Sequence, residues 1–213
     1  LDFPVVSGNV SFYNETQNKA ISPTPTIGGV GLIKNLNHMV TKNFKEIGSD
    51  ILVVGKTSGH LHQSEFFREV LNIKEGPPPE VNLFNEKNNG LLIKNLISKK
   101  LLNSAHDVSS GGILIALSEM CLYSKIGAKI KVPRDNITMH EYLFGEDQSR
   151  YLIEINEKNK NQVIKTLEKS SVYYDYIGKT QKDSLNLEKE FDMKLSDLIK
   201  LNCSWFKSYY NEN

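Results

Sequence analysis

The run Asp50-Ile51-Leu52-Val53-Val54 constrains this chain more than any other stretch. It is short, apolar and bounded by turn residues, so it reads as a buried strand. Further strands are expected over 127–132, which alternates and stops at Pro133, over 151–155, 171–177 and 185–187. Helical spacing marks 64–71, with Ser64 as N-cap, and 80–101, which Asn88-Asn89-Gly90 could interrupt. It also marks 113–122, 136–144 with Asn136 or Thr138 as cap, and 157–170 with Val163, Ile164 and Leu167 inward. A terminal helix over 192–210 would pack back through Leu195, Leu198, Ile199 and Trp205. Strands and helices mix without a regular βαβ rhythm. The expected class is therefore α+β, with helices on the faces of a sheet.

Length and charge narrow the function. The chain has 213 residues, room for one large domain or two small ones. Its 26 basic and 25 acidic residues leave a net charge of +1. That balance provides no field for nucleic acid or a membrane surface, so both are disfavoured as partners. The Asn and Lys residues are scattered along the whole length and mark no binding surface. No apolar run reaches membrane-spanning length, and no signal-peptide pattern is present. The two cysteines, Cys121 and Cys203, are far apart, which suggests a reducing cytoplasm and not a disulfide framework. Cys121 falls on the apolar stripe of the 113–122 helix as a buried thiol. The first residue is Leu and the chain opens directly into strand-like sequence, as at a fragment boundary.

The chemistry is concentrated at residues 4–16. Pro4-Val5-Val6 reads as the end of a buried strand. Beyond it Ser7, Asn9 and Ser11 share one face of an extended chain, and Val6, Val10 and Phe12 the other. Gly8 lets backbone N–H groups approach a ligand. Such a face suits a phosphate or a magnesium–nucleotide: Mg²⁺ accepts a neutral amide oxygen among hard ligands, and a serine hydroxyl donates to phosphate. The same residues also suit a plain turn. Residues 17–26, with Pro23, read as a loop, and Ile27 to Ile33 as a strand. Its Gly28, Gly29 and Gly31 lack the strand–turn–helix context of a dinucleotide fingerprint.

Other candidates are weaker. His60 and His62 are two apart, without a third ligand at a familiar spacing for zinc. Asp107, Ser109 or Ser110 could cap the 113–122 helix, whose glycine-fronted start is also a ready anion site. His106 beside Asp107 on a strand end would face the other way and need not cooperate with it. Glu146, Asp147 and Gln148, at a strand mouth, could hold a polar ligand or form a solvated turn closed by an Arg150 salt bridge.

The ordered motifs carry a resemblance. Val6 to Thr16, Pro23 to Gly31, Gly55-Lys56-Thr57-Ser58-Gly59, Asp107 to Gly112 with Ala116 to Met120, and Phe144 to Arg150 are together similar to the synthetase-subunit family of formylglycinamidine ribonucleotide synthesis. That family lies within the aminoimidazole ribonucleotide synthetase superfamily. The likeness runs over residues 1 to about 180 and corresponds to the last part of the family's chain. It implies that residues 1–44 are the C-terminal tail of a barrel-forming N-type domain, and 45–213 a ferredoxin-like α/β C-type domain with a terminal helix. Residues 34–49 would contain the hinge. It implies ATP-dependent amidation of formylglycinamide ribonucleotide with glutamine-derived ammonia. ATP activates the amide oxygen by phosphorylation, and ammonia displaces phosphate. On the family's motif Gly8 is expected near ATP, Asn9 on Mg²⁺ and Ser11 on the substrate, with no catalytic residue in this stretch. Implied partners are the upstream domains and, for a short-form enzyme, a glutaminase subunit and a small accessory subunit. His62 and Gln63 depart from the glycines common in the family. A non-catalytic docking module and a sibling ATP-dependent enzyme are the alternatives.

Overall fold

The computed structural model describes residues 1–22, 24–133 and 136–211. Pro23, read above as loop, lies outside them, as do residues 134–135 and 212–213 of the expected second domain.

The body is built around the apolar run. Strand β3 (Asp50–Val54) is buried at every position, because it has a strand on each side. The seven-stranded sheet runs in the order β4-β6-β3-β7-β5-β8-β9. Its members are β4 (Ser104–Asp107), β5 (Ile126–Ile130), β6 (Tyr151–Ile155), β7 (Tyr174–Lys182), β8 (Ser184–Leu187) and β9 (Phe191–Lys194). All pairings are antiparallel except β5 with β8. β3 places Leu52 opposite Ile153 of β6 and Tyr176 of β7, with an irregularity against β7 between Ile51 and Leu52.

Side chains of β3 alternate between two cores, as the pleat requires. Ile51 and Val53 join the larger one with Ile113, Leu117 and Met120 of α2 (Gly112–Leu122) and Leu143 of α3 (Met139–Phe144). Leu52 and Val54 join the other with Leu92, Ile93 and Leu96 of α1 (Leu83–Ser98), and Val163 and Leu167 of α4 (Glu157–Lys169). The class is thus α+β with helices on the sheet faces, as the pattern indicates.

Local chemistry sets the helix ends. The Asn82 side chain accepts from Asn85 N–H, and Asn156 from Asn159 N–H. Thr138 and Glu141 form a reciprocal capping box, so Thr138 is the cap of that helix. Helix α1 runs through Asn88-Asn89-Gly90 unbroken, correcting the expected interruption: Asn89 turns inward and donates to Ser149 O at 2.9 Å. Ser64 does accept from Phe67 N–H, but the turn it starts, Phe66–Val70, is π-helical. The terminal helix α5 (Leu195–Asn211) begins later than expected, because Phe191–Lys194 pairs with β8. Leu195 is buried, whereas Trp205 is 65% exposed and stacks on Tyr209, so its expected inward packing is corrected.

The N-terminal segment departs furthest from expectation. Every described residue from Leu1 to Met39 is exposed. Pro4-Val5-Val6 and Ile27 to Ile33 are not strands, and Val6 is 93% exposed. Among the described residues no strand pairs with them, and an extended chain without a neighbour makes no sheet. Regular pairing is confined to β1 (Glu15–Thr16) and β2 (Lys19–Ala20), joined by Gln17 and Asn18 at φ +50° and +59°, as in a two-residue hairpin turn. Asp2 reaches the body through Lys87 at 2.6 Å. Burial begins at Val40, and Phe44 lies in the larger core. The backbone N–H groups of Lys45 and Glu46 donate to the buried Glu154 carboxylate at 2.9 Å each.

Candidate functional site

Two cavities open at one end of the sheet, and the run Gly145-Glu146-Asp147-Gln148-Ser149-Arg150 lies between them. One, of about 580 Å³, is lined by Lys56, Ser58 to His62, Asn82, Asn85, Asp147 and others. The second, of about 410 Å³, is lined by Glu86, Asp107, Ser109, Ser110, Glu146 and Arg150 among others. Gln148 and Ser149 line both. Gln148 is exposed, so it is the member of the run free to meet a ligand in either cavity.

The rest of the run is consumed in holding backbone. Arg150 is 1% exposed. Its guanidinium donates to Gly145 O at 2.6 Å, Asp147 O at 3.1 Å and Thr57 Oγ1 at 3.2 Å. Burial pushes its pKa down against the pull of the Asp147 charge. Of the two alternatives for this run, the solvated turn closed by an Arg150 salt bridge is corrected in its setting: the arginine does lie 3.8 Å from Asp147 Oδ2, but it is interior. Asp147 accepts from the N–H groups of Ser58, Gly59 and His60. Glu146 Oε1 accepts from Glu65 N–H at 2.7 Å and Gly111 N–H at 2.8 Å. Glu146, from a distant loop, thus supplies the acceptor at the start of α2, and none of Asp107, Ser109 and Ser110 caps that helix through its side chain. Gly59 has φ +81°, and a Cβ there would lie 2.6 Å from Glu141 Cβ. Only glycine permits that approach.

His106 and Asp107 do meet, correcting the expectation of opposite facing. His106 Nδ1 is 3.2 Å from Asp107 Oδ1, and Nε2 is 2.7 Å from Glu119 Oε2. Lys42 completes the chain at 2.9 Å from the same Glu119 oxygen. The Ser109 hydroxyl donates to Asp107 and is the main reason its carboxyl is held below the ordinary range. Burial works to raise Glu119, and Lys42 and His106 outweigh it, so it too is lowered. The row fastens residues 40–42 to the sheet edge and ends in the second cavity.

His60 and His62 lie with ring centroids 5.8 Å apart. Among the described residues no group of three or more His, Cys, Asp and Glu side chains is arranged to hold a metal. His60 Nε2 is 3.0 Å from Pro77 O, and Gln63 Nε2 donates to Lys74 O and Gly76 O. The two departures from glycine, His62 and Gln63, thus pack against and hold the 74–77 strap beside the first cavity. Cys121 is fully buried and its thiol is pushed up to about 12 by that burial, which makes it inert; Cys203 is exposed.

Gly8, Asn9 and Ser11 lie on the exposed ribbon and line neither cavity. Ser11 Oγ donates to Tyr13 O at 3.1 Å. As a test of fit for magnesium, Asn9 offers one hard oxygen facing solvent. It fits as one member of a shell whose other donors come from elsewhere. No helix among the described residues is long and apolar enough to cross a membrane.

The antiparallel-rich sheet, with its two helical layers and a polar loop hub at one end, defines a class. The chain belongs to the AIR synthase related proteins, C-terminal domain family, whose model matches residues 46–188. It is 53% identical over 209 residues to the phosphoribosylformylglycinamidine synthase subunit PurL of Pelagibacter ubique, covering 98% of this chain and 29% of that one. Identity to the PurL subunit of Rhodopseudomonas palustris is 41% over 208 residues, covering 98% of this chain and 28% of that one. The chain therefore spans less than a third of the length of these relatives. The solved structure described as T. maritima PurL complexed with FGAR superposes with a TM-score of 0.62 at 18% identity, covering 76% of this chain and 29% of that one. T. maritima PurL complexed with ATP gives 0.58 at 19% identity, covering 76% and 27%. At such identity these two show the shared fold.

Proposed function

We propose that this chain is the C-terminal part of a phosphoribosylformylglycinamidine synthase, working in ATP-dependent amidation of formylglycinamide ribonucleotide in purine biosynthesis. The observation that carries the reading is 53% identity to a PurL subunit across 98% of the chain. Residues 1–44 belong to the N-type, ligand-bearing domain and 45–213 to the C-type domain, joined through the segment that Glu154 and Phe44 fasten down. The exposure of the first 39 residues supports this division, since their apolar side needs a sheet to lie in.

In this reading Gly8 admits the phosphate end of ATP against the backbone, Asn9 contributes an oxygen to Mg²⁺, and Ser11 holds the substrate. Bound Mg²⁺ neutralises charge on the transferring phosphoryl group. The body acts by position: Glu154 and the Lys42–Glu119–His106 row fix where the ribbon leaves the sheet. The partners are the upstream domains, a glutaminase subunit as ammonia source and a small accessory subunit. The solved structure of PurLQS from T. maritima supports looking for such partners. The location is the cytoplasm.

The test is ammonia-dependent turnover. The 213-residue chain alone is expected to be inactive. Joined to the upstream domains of a relative, it should regain activity, and Asn9→Ala should lower it by roughly 10-fold or more, with weakened magnesium dependence. A folded Asn9→Ala chimera with unchanged rate and unchanged magnesium dependence would remove the assignment. Turnover by the isolated chain would remove the division of labour.

A further inference from the structure

The loop after β3 has the makings of an oxyanion pocket. Gly55 and Gly59 take φ of +103° and +81°. Between them the backbone curls so that the N–H groups of Ser58, Gly59 and His60 converge. Successive amides turned to one side form a concavity that attracts anions. Behind it sits Arg150, 1% exposed and without an alternative carboxylate at ion-pair distance among the described residues. Converging amides backed by a guanidinium match the chemistry of phosphate oxygens.

The concavity is filled from within. Asp147 Oδ2 accepts from Ser58 N–H at 3.0 Å and Gly59 N–H at 2.9 Å, and Oδ1 from His60 N–H at 3.3 Å. Oδ2 also lies 3.8 Å from the Arg150 guanidinium, and the Asp147 side chain is only 11% exposed. The amides and the carboxylate together form part of the wall of the larger cavity.

We propose that Asp147 is the built-in occupant of an oxyanion site: its carboxylate takes the place a phosphate-type anion would fill, and closes the larger cavity to such anions while it stays. With its amides already satisfied, that wall offers an incoming anion a carboxylate edge, with Glu80 and Glu141 nearby in the lining. That wall therefore discriminates against phosphate groups, and Lys56 is the lysine elsewhere in the lining. The inference does not rest on the function proposed above, which puts the nucleotide on residues 8–11.

Removal of the occupant exposes the site. Asp147→Ala leaves three amides without their acceptor and the buried Arg150 guanidinium without its counter-charge, so the variant should melt several degrees lower than wild type. Millimolar inorganic phosphate should restore part of that loss saturably, beyond chloride at matched ionic strength, because a ligand that binds only the folded state stabilises it. In ¹⁵N spectra of the variant, the amides of residues 58–60 should shift with phosphate. In wild type the same titration should leave them still. Saturable phosphate shifts at those amides in wild type would overturn the proposal. So would a folded Asp147→Ala variant that phosphate stabilises no more than chloride does. If the alanine variant does not fold at any phosphate concentration, Asp147→Asn decides. It keeps the shape and one acceptor, and should show smaller phosphate-specific stabilisation; none would again overturn the idea.

Discussion

The ribbon at the start of the chain and the central strand of the body use the same residue types to opposite effect. Val5 and Val6 are 88% and 93% exposed, whereas Val53 and Val54 are fully buried. β-Branched side chains favour an extended backbone in both places. The difference is the neighbours: β3 has β6 and β7 to take its N–H and C=O groups, and a helix layer over each face. Polar groups divide the same way. In the body Asp50, Arg150 and Glu154 are interior and held by partners, while Asn9 on the ribbon faces solvent. Propensity proposes a strand, and partners make one.

The contrast is broken most severely in the larger core. Leu117 is fully buried under the sheet, so Leu117→Ala should cost about 4 kcal/mol, read as a lower urea midpoint with unchanged slope. Arg150→Met comes next. It leaves Gly145 O without its donor and Asp147 without its buried counter-charge. Asp147 keeps its three amide bonds, so the loss should be about 3 kcal/mol, at the lower end for a broken interior pair. Amide exchange in residues 57–60 should quicken more than in β6. Uniform quickening would mean that the arginine serves global packing and not the loop.

How far these features could be read from sequence follows from how local they are. β3, α2 and α4 are legible because each declares itself within one short window, and the cap of α3 is narrowed there to Asn136 or Thr138, of which the structure uses Thr138. The hub is not. Arg150 meets Thr57 across 93 residues, and Glu154 meets the Lys45 amide across 109. No periodicity encodes such pairings, so Arg150 reads as a surface residue and Glu154 as one polar position in a strand. The start of α2 fails for the same reason, since its acceptor comes from Glu146, 35 residues on. β9 is hidden because its four residues adjoin a strong helical pattern, and pairing with β8 overrides their continuation into it. The ribbon errs the other way: its alternation is genuine, but alternation carries no information about whether a partner is present. The cavities are legible only in pieces: the Glu146-Asp147-Gln148 run and Asp107, Ser109 and Ser110 stand out as polar stretches, but the loops that meet them across the chain do not.

A smaller effect sharpens the comparison through pH. Asp50 starts β3 and is 1% exposed, with Lys160 of α4 at 2.7 Å and Lys179 of β7 at 2.9 Å. Burial works to raise its carboxyl, but the two lysines prevail and hold it below the ordinary value. A carboxyl lowered in the folded state contributes stability that is complete above its unfolded pKa of about 3.9 and is lost as pH falls through the folded value. Both lysines are more than a third exposed, so water screens the pair and the contribution should be about 1 kcal/mol. Unfolding free energies of wild type and Asp50→Asn should differ at pH 6 and converge in acid. Parallel curves at all pH values would show that the aspartate serves shape alone.

The smallest expected effect is on the ribbon itself, and it tests the comparison most directly. Val6→Asp places a charge on a side chain that already stands in water in this chain, 93% exposed. Its cost to unfolding should be under about 0.5 kcal/mol, as for other surface positions without partners. In a chimera that supplies upstream domains, the same substitution should become costly, because Val6 would then lie on the packed face and bury an unpaired carboxylate. Phe12→Ser, on that same face, should follow it, and Ser7→Ala on the opposite face should not. If Val6→Asp is as harmless in the chimera as in the isolated chain, residues 4–12 join no sheet in either setting. The alternation of apolar and polar side chains would then have no structural consequence. If it is harmful in the isolated chain, the ribbon already has a partner in solution, and a concentration-dependent melting temperature should reveal a second copy as that partner.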